Sequence, residues 1–320
     1  MRFGTSEYIP INKSYFLAED RVVDFDIYCG KKDDDTHEPL LLIGRDSQLS
    51  NVKEIVSRKY FHTFYIRTED NSNYWKFLED SLPTLIDDKL TPLEKKSSLV
   101  YSCAENVIKD VLQAPRKREN IKRAQNIASN ILNFSLTYTD AIAMLLKLGS
   151  PKYQTFTHCV NVAVFAAGLC LMIGKDSEKE LDDIVLGCLL HDIGKAYIGD
   201  EILKKPGELT RSEYEEVKLH PIKGYEMMKN HLSDISLDII LHHHEKVSGA
   251  GYPHGLKDVE ISDQAKIAAI ADVYDALTTK RPYGDAKEPF KALHMMKDEM
   301  VGQFEQEKFT QFIYFLAGEK

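Results

Sequence analysis

Three stretches of this chain are apolar along most of their length, yet each carries an imidazole or a carboxylate at one end. Residues Leu186 to Leu190 lead directly into His191 and Asp192, and residues Ile267 to Ala271 lead into Asp272. His158 precedes the run Val160 to Gly174, in which Asn161 is the main polar interruption. Apolar segments of this kind become core helices, so their terminal side chains are carried inside with them. Burying an imidazole or a carboxylate costs several kcal/mol unless it is paired or binds a metal. Taken one at a time, each residue has a plain structural explanation. A lone helical histidine can be a packed, hydrogen-bonded side chain, His242 to His244 could be a surface run, and Asp272 could belong to a buried ion pair. Three coincidences in one chain favour shared cations.

Metal-binding residue types occur at His158, His191 with Asp192, His220, His243 with His244, Asp272 and Asp275. Neutral imidazole suits iron, manganese or zinc, and a carboxylate adds charge and can bridge two ions. Neighbours on a helix diverge by about 100°, so His191 and Asp192 can serve different coordination positions. Two cations roughly 3.5 to 4 Å apart clamp the attacking and leaving oxygens of a phosphoryl displacement, and water shared between them loses a proton near neutral pH. No serine or cysteine nucleophile is then needed.

With 320 residues the chain is expected to form more than one domain. The segments Asp24 to Cys29, Leu40 to Gly44 and Thr63 to Arg67 are β-prone, with polar turns such as 31–38 between them. Helix is predicted from about 92 to 112, stopped by Pro115, and again from about 117 to 148 with a break near 136–140. The turn at 149–151 opens the last part, in which everything reads as helical. There Thr210 and Glu213 form a capping box, Pro221 suits a first helical turn, and Ser262 caps a helix running to about Thr279. The expected architecture is α+β overall: a small β-rich regulatory or sensing domain over 1–75, a helical connector over 76–148, and an all-α domain over 149–320.

Charge and cysteine usage narrow the setting. The net charge of −9 argues against a nucleic-acid polymer as partner. The basic cluster of Arg116, Lys117, Arg118, Lys122 and Arg123 reads as a solvated face. Five scattered cysteines without a CxxC pair, and no leader-like amino terminus, point to a cytoplasmic protein. The run Val160 to Gly174 is too short to be a membrane span.

At this point the residues resemble a known family. The stretch from about 152 to 316 is similar to the HD-GYP domain, a subset of the HD phosphohydrolases. The similarity rests on Thr157 to Val162, His191 to Lys195, Ile202 to Leu209, His220 to Gly224, His243 to Glu245, Gly249 to Pro253, Ile270 to Leu277 and Arg281 to Tyr283, in the family's order. The resemblance implies a di-metal phosphodiesterase for cyclic di-GMP, with an HD-type helical fold. It implies that His158, His191, Asp192 and Asp272 hold one metal, and that Asp192, His220, His243 and His244 hold the second. Iron is the expected metal, with manganese as the alternative. By the same resemblance Asp192 and Lys195 are catalytic, and Lys195, Tyr252, Asp275 and Arg281 contact substrate. Lys195 stands four residues after His191 and so is expected on the same helical face, contacting a phosphate.

The chain departs from the family pattern at several positions. Gln154 stands where some members place a glutamate that binds a third metal, so two metals are expected. Gly284 replaces a basic residue, Val247 and Ser248 replace Trp and Asp, and Tyr197 and Gly199 replace the commoner Gly and Pro. These differences keep two alternatives open. One is a degenerate module that binds a cyclic dinucleotide or a partner protein without efficient catalysis, and the other is an HD hydrolase for another phosphate ester. Regulatory protein partners and a homodimer fit the architecture.

Overall fold

The computed structural model describes residues 7–12, 21–30, 39–48, 63–149, 154–175, 177–280 and 286–318. The chain forms two compact units, Met1–Cys103 and Ala104–Lys320. The expected polar turn at 31–38, the 149–151 turn beyond residue 149, and Arg281 to Gly284 lie outside the described residues.

The first unit is built on an antiparallel sheet. Its strands are β1 (Tyr8–Ile11), β3 (Ile27–Gly30), β4 (Leu40–Ile43) and β6 (Thr63–Arg67), in the order β1-β6-β3-β4. The short strands β2 (Val22–Val23) and β5 (Ser47–Gln48) pair separately. Period-two patterning explains β6: Phe64 and Ile66 are buried, while their neighbours are half-buried. Strand β1 contains Pro10, which lacks an N–H and is tolerated at a sheet edge. Helix α1 (Asn71–Asp87) contributes Tyr74 and Phe77, whose rings meet Phe25 edge-on at centroid distances of 5.9 and 5.8 Å. Helix begins at Asn71, a few residues earlier than the sequence pattern indicates.

Helix α2 (Leu93–Gln113) leads into the second unit, which continues with α3 (Arg118–Thr137) and α4 (Ala141–Leu148). At the centre lie α5 (Thr155–Met172) and α6 (Glu178–Leu190), packed against each other. Around them come α7 (Asp200–Leu203), α8 (Arg211–Val217), α9 (His220–Met228), α10 (Asp234–His242), α11 (Asp263–Thr278), α12 (Pro289–Asp298) and α13 (Gln306–Ala317). The local signals did their work. Thr210 and Glu213 form the reciprocal capping box, Pro221 sits in the first turn of α9, and the Ser262 hydroxyl accepts from the Ala265 N–H.

Helix α5 is long and apolar enough to cross a membrane, but 78% of it is buried inside the unit. Residues Thr157 to Cys170 are buried without interruption, because α3, α4, α6, α11 and α13 surround it. All five cysteines are free and buried. Leu169 is fully buried in this helix. Leu169→Ala is expected to cost about 2 to 5 kcal/mol of unfolding free energy by chemical denaturation, since the close-packed surround cannot collapse onto the lost volume.

Candidate metal centre

All the ligand candidates but Asp272 sit where a helix begins or ends. His158 lies in the first turn of α5, and Asp272 lies inside α11. His191 caps the carboxyl end of α6, and Asp192 follows it. His220 opens α9, and His243 and His244 follow the end of α10. His158, His191, Asp192, His220 and His243 are all 2% exposed or less, and Asp272 is 6% exposed.

The side chains converge as two groups. His158, His191 and Asp192 can each offer one ligand atom within 4.8 Å of the others, and so can His220, His243 and His244. Asp192 joins the groups: its Oδ2 lies 3.8 Å from His158 Nε2 and 3.5 Å from His191 Nε2, while its Oδ1 lies 3.3 Å from His220 Nε2. Asp272 also reaches both, with Oδ1 3.1 Å from His158 Nε2 and Oδ2 3.6 Å from His244 Nδ1. Across the second group, His220 Nε2 and His243 Nε2 are 3.2 Å apart.

Backbone and carboxylate partners aim the imidazoles. His191 Nδ1 is 2.7 Å from the Cys188 carbonyl oxygen, His220 Nδ1 is 2.7 Å from that of Val217, and His243 Nδ1 is 3.0 Å from that of Ile239. A ring nitrogen donating to a carbonyl leaves Nε2 as the lone-pair atom, which is the form a metal requires. Burial holds His191, His220, His243 and His244 below the ordinary imidazole range, His220 at about 3 and His244 at about 4. These four are therefore neutral near pH 7. For His158 burial is outweighed by the hydrogen bonds and charges of Asp272 and Asp275, and its pKa is pushed up to about 9. Burial opposes the charge of Asp192 as well, but Lys195 and the surrounding imidazoles hold it well below the usual carboxylate range.

The donor set fits a pair of cations. His191 Nε2 and Asp192 Oδ1 are buried and make no hydrogen bond among the described residues, and both face the cluster. Orphaned buried polar atoms of this kind are rare and call for an explanation. A cation at each group would supply it.

Asp275 is 2% exposed, and its Oδ2 lies 2.6 Å from His158 Nδ1 while its Oδ1 accepts from Asn161 Nδ2 at 2.8 Å. Engaged on both oxygens, it is placed to orient His158 from behind. Helix α6 ends before Lys195, and a 3-10 turn (Ile193–Tyr197) brings the ammonium within 2.6 Å of Asp192 Oδ2. The shared helical face expected for His191 and Lys195 is therefore not formed. Tyr252 packs its ring on His244 with centroids 4.7 Å apart. Arg281 lies outside the described residues.

Two supporting residues escaped the sequence reading. Asn161 was visible only as a polar interruption in an apolar helix. Glu245 is 3% exposed and accepts from the backbone N–H groups of His254 at 2.7 Å, Gly255 at 3.1 Å and Leu256 at 3.0 Å. It thereby fixes the loop that carries Tyr252. The residues Val247 and Ser248 are also held, their N–H groups donating to Gln303 and Gly302 carbonyls at 3.2 and 2.9 Å.

Known proteins resemble this chain in sequence and fold. The HD domain family pattern matches residues 81–305. The chain belongs to the HD domain family. The HD-GYP resemblance seen in the sequence is borne out among the relatives of this HD domain. A cyclic di-GMP phosphodiesterase of Pseudomonas aeruginosa is 33% identical over 228 residues, covering 68% of this chain and 53% of that protein. A 3'3'-cGAMP-specific phosphodiesterase of Vibrio cholerae is 30% identical over 218 residues, covering 64% of this chain and 46% of that protein. The chain thus spans about half the length of these two curated relatives. Among solved structures, an HDG"Y"P protein from Bdellovibrio bacteriovorus superposes with a TM-score of 0.68 at 21% identity, over 97% of this chain and 100% of that one, which shows a common fold.

Two substitutions test how the HD domain supports its centre. Asp275→Asn keeps the volume but removes the charge behind His158, and is expected to weaken metal affinity about 10- to 100-fold, read by competition with a chelator. Gly194→Ala would place a Cβ 1.9 Å from the His220 carbonyl oxygen and 2.7 Å from the Gly224 nitrogen. Neither backbone atom can step aside alone, so this variant is expected to bind less metal and to melt at lower temperature.

Proposed function

We propose that this chain hydrolyses a phosphodiester of a cyclic dinucleotide, with cyclic di-GMP as the leading substrate, at a two-metal centre. The observation that carries the reading is the position of Asp192. One buried carboxylate faces two groups of imidazoles, and among the described residues one of its oxygens has no hydrogen-bond donor.

His158, His191, Asp192 and Asp272 would hold one cation, and Asp192, His220, His243 and His244 the other. When bound, the pair would supply Lewis acidity toward the phosphoryl oxygens and an activated water. The remaining work falls to the chain. Asp275 and the Cys188 and Val217 carbonyls keep the ligand rings in one tautomer and orientation. Lys195 lies against Asp192, so its ammonium would stand within reach of a phosphoryl oxygen bound at the centre. Glu245 anchors the loop on which Tyr252 sits, which keeps an aromatic ring at the edge of the centre. Iron is the favoured metal, because the proposed set offers five imidazoles to two carboxylates, and manganese remains the alternative. The buried free thiols suit a reducing, cytoplasmic setting.

The relatives favour two substrates, because proteins named for cyclic di-GMP and for 3'3'-cGAMP both align over much of the HD domain. Val247 and Ser248, which depart from the family pattern, occupy hydrogen-bonded positions, so the loop is held in spite of them.

Protein purified anaerobically and loaded with iron or manganese is expected to linearise cyclic di-GMP, with 3'3'-cGAMP as the comparison, as followed by chromatography. Absence of product from both under metal-replete conditions would overturn the catalytic reading. Asp192→Ala is expected to lose both ions together by elemental analysis, whereas a bridge elsewhere would leave one of them bound.

A further inference from the structure

On the reading that this site takes a cyclic dinucleotide, a second anion has to be accommodated. Such a substrate carries two phosphodiesters, and the metal centre can take one. From residue 148 onward the chain has 20 Lys and Arg against 28 Asp and Glu, a balance of −8. The phosphate left outside the centre therefore needs a particular cation rather than a general positive field.

The structure places one beside the loop that borders the centre. Lys218 follows the last residue of α8 and precedes His220 by two positions. The same turn supplies the Val217 carbonyl that faces His220 Nδ1, so Lys218 and a proposed metal ligand share one rigid segment. Its ammonium lies 5.6 Å from the ring centroid of Tyr252 and 5.8 Å from that of Tyr214. Tyr252 in turn packs on His244, so a short chain of contacts links the ammonium to the metal centre. The Lys218 side chain is 29% exposed, and half of Tyr214 faces solvent. Its carboxylate contact is to Glu215 at 3.1 Å, an exposed pair three residues apart. Exposed pairs of that type contribute little and can exchange for a better anion.

We infer that Lys218, framed by Tyr214 and Tyr252, binds the non-scissile phosphate of the dinucleotide, with the two phenol rings available to the adjoining base or sugar. The rings limit hydration around the ammonium, which strengthens a charge-assisted bond to phosphate. Lys195 is a different element of the site, because it lies against Asp192 inside the cluster.

The test uses the full, metal-loaded chain with Lys218→Met, Lys218→Arg and the control Lys229→Met, whose side chain pairs with Glu226 on α9. KM for cyclic di-GMP and its Kd by calorimetry are expected to rise on the order of tenfold in Lys218→Met, from loss of one charge-assisted contact. The Arg variant should recover most of that loss, and Lys229→Met should match the parent. Bis(p-nitrophenyl) phosphate, which has a single phosphate, is expected to show a much smaller change in Lys218→Met. An unchanged Kd in Lys218→Met would overturn the assignment and leave the phosphodiesterase reading standing. Equal losses for both substrates would also overturn it, since they would mean that Lys218 supports the centre itself. A parent that binds the dinucleotide without cleaving it would sink the catalytic reading alone, with Lys218 judged by Kd. A parent that does neither would sink both.

Discussion

The second unit is organised around a carboxylate that has almost no access to water. Asp192 is 1% exposed, and within 3.8 Å of its oxygens stand the Nε2 atoms of three histidines and the ammonium of Lys195. Apolar residues of similar volume would pack here at lower cost, since charge buried with imperfect pairing is seldom a net gain in stability. The elements that deliver the cluster are core helices or helix ends, so its geometry cannot relax without moving the fold. A site that is expensive to keep and rigidly delivered is the arrangement expected of chemistry rather than of packing. Bound cations would repay part of that cost through linkage, because ligands assembled only in the folded chain bind metal more tightly there than in the unfolded one.

The loop beside the centre is coupled to it through adjacent residues. His243 and His244 face the cluster, and Glu245, the next residue, turns inward to accept three backbone N–H groups of residues 254–256. On the preceding turn, His242 bridges Asp238 and His254, and Asp238 also accepts from the hydroxyl of Ser262, which caps α11. The end of α10, the Tyr252 loop and the start of the helix bearing Asp272 are thus joined by hydrogen bonds. A shift in any one of these three elements would be felt by the other two.

Much of this was legible in the sequence because the signals were local. The polar ends of apolar runs indicated the ligands, and Pro92, Thr210 with Glu213, and Ser262 marked helix starts to within a residue or two. Roles that depend on a distant partner were not legible. The spacing of Asp272 and Asp275 places them on one helical face but cannot say that the second turns toward His158, 117 positions away. Lys195 was misplaced for a related reason. Its spacing from His191 assumes that α6 continues, whereas the chain leaves the α-helix after Leu190 and tightens into a 3-10 turn, putting Lys195 in register with Asp192. Strand β1 was hidden by Pro10, because whether a strand lies at a sheet edge is a tertiary fact.

The acidity of the second unit bears on which phosphate esters it could handle. At physiological ionic strength a charge is screened within about 8 Å, so a bound anion senses its immediate neighbours rather than the net balance. On the proposed function, a small dinucleotide would call only on the metal centre, Lys195 and Lys218 as its cationic contacts. A polymer would extend its remaining phosphates over a surface where carboxylates outnumber ammonium and guanidinium groups, and each would add repulsion without a matching cation. On the proposed function, local positive charge inside a negative unit would select for compact substrates. The same arrangement would give bound cations a second task beyond chemistry, since they would supply much of the attraction that the protein surface withholds.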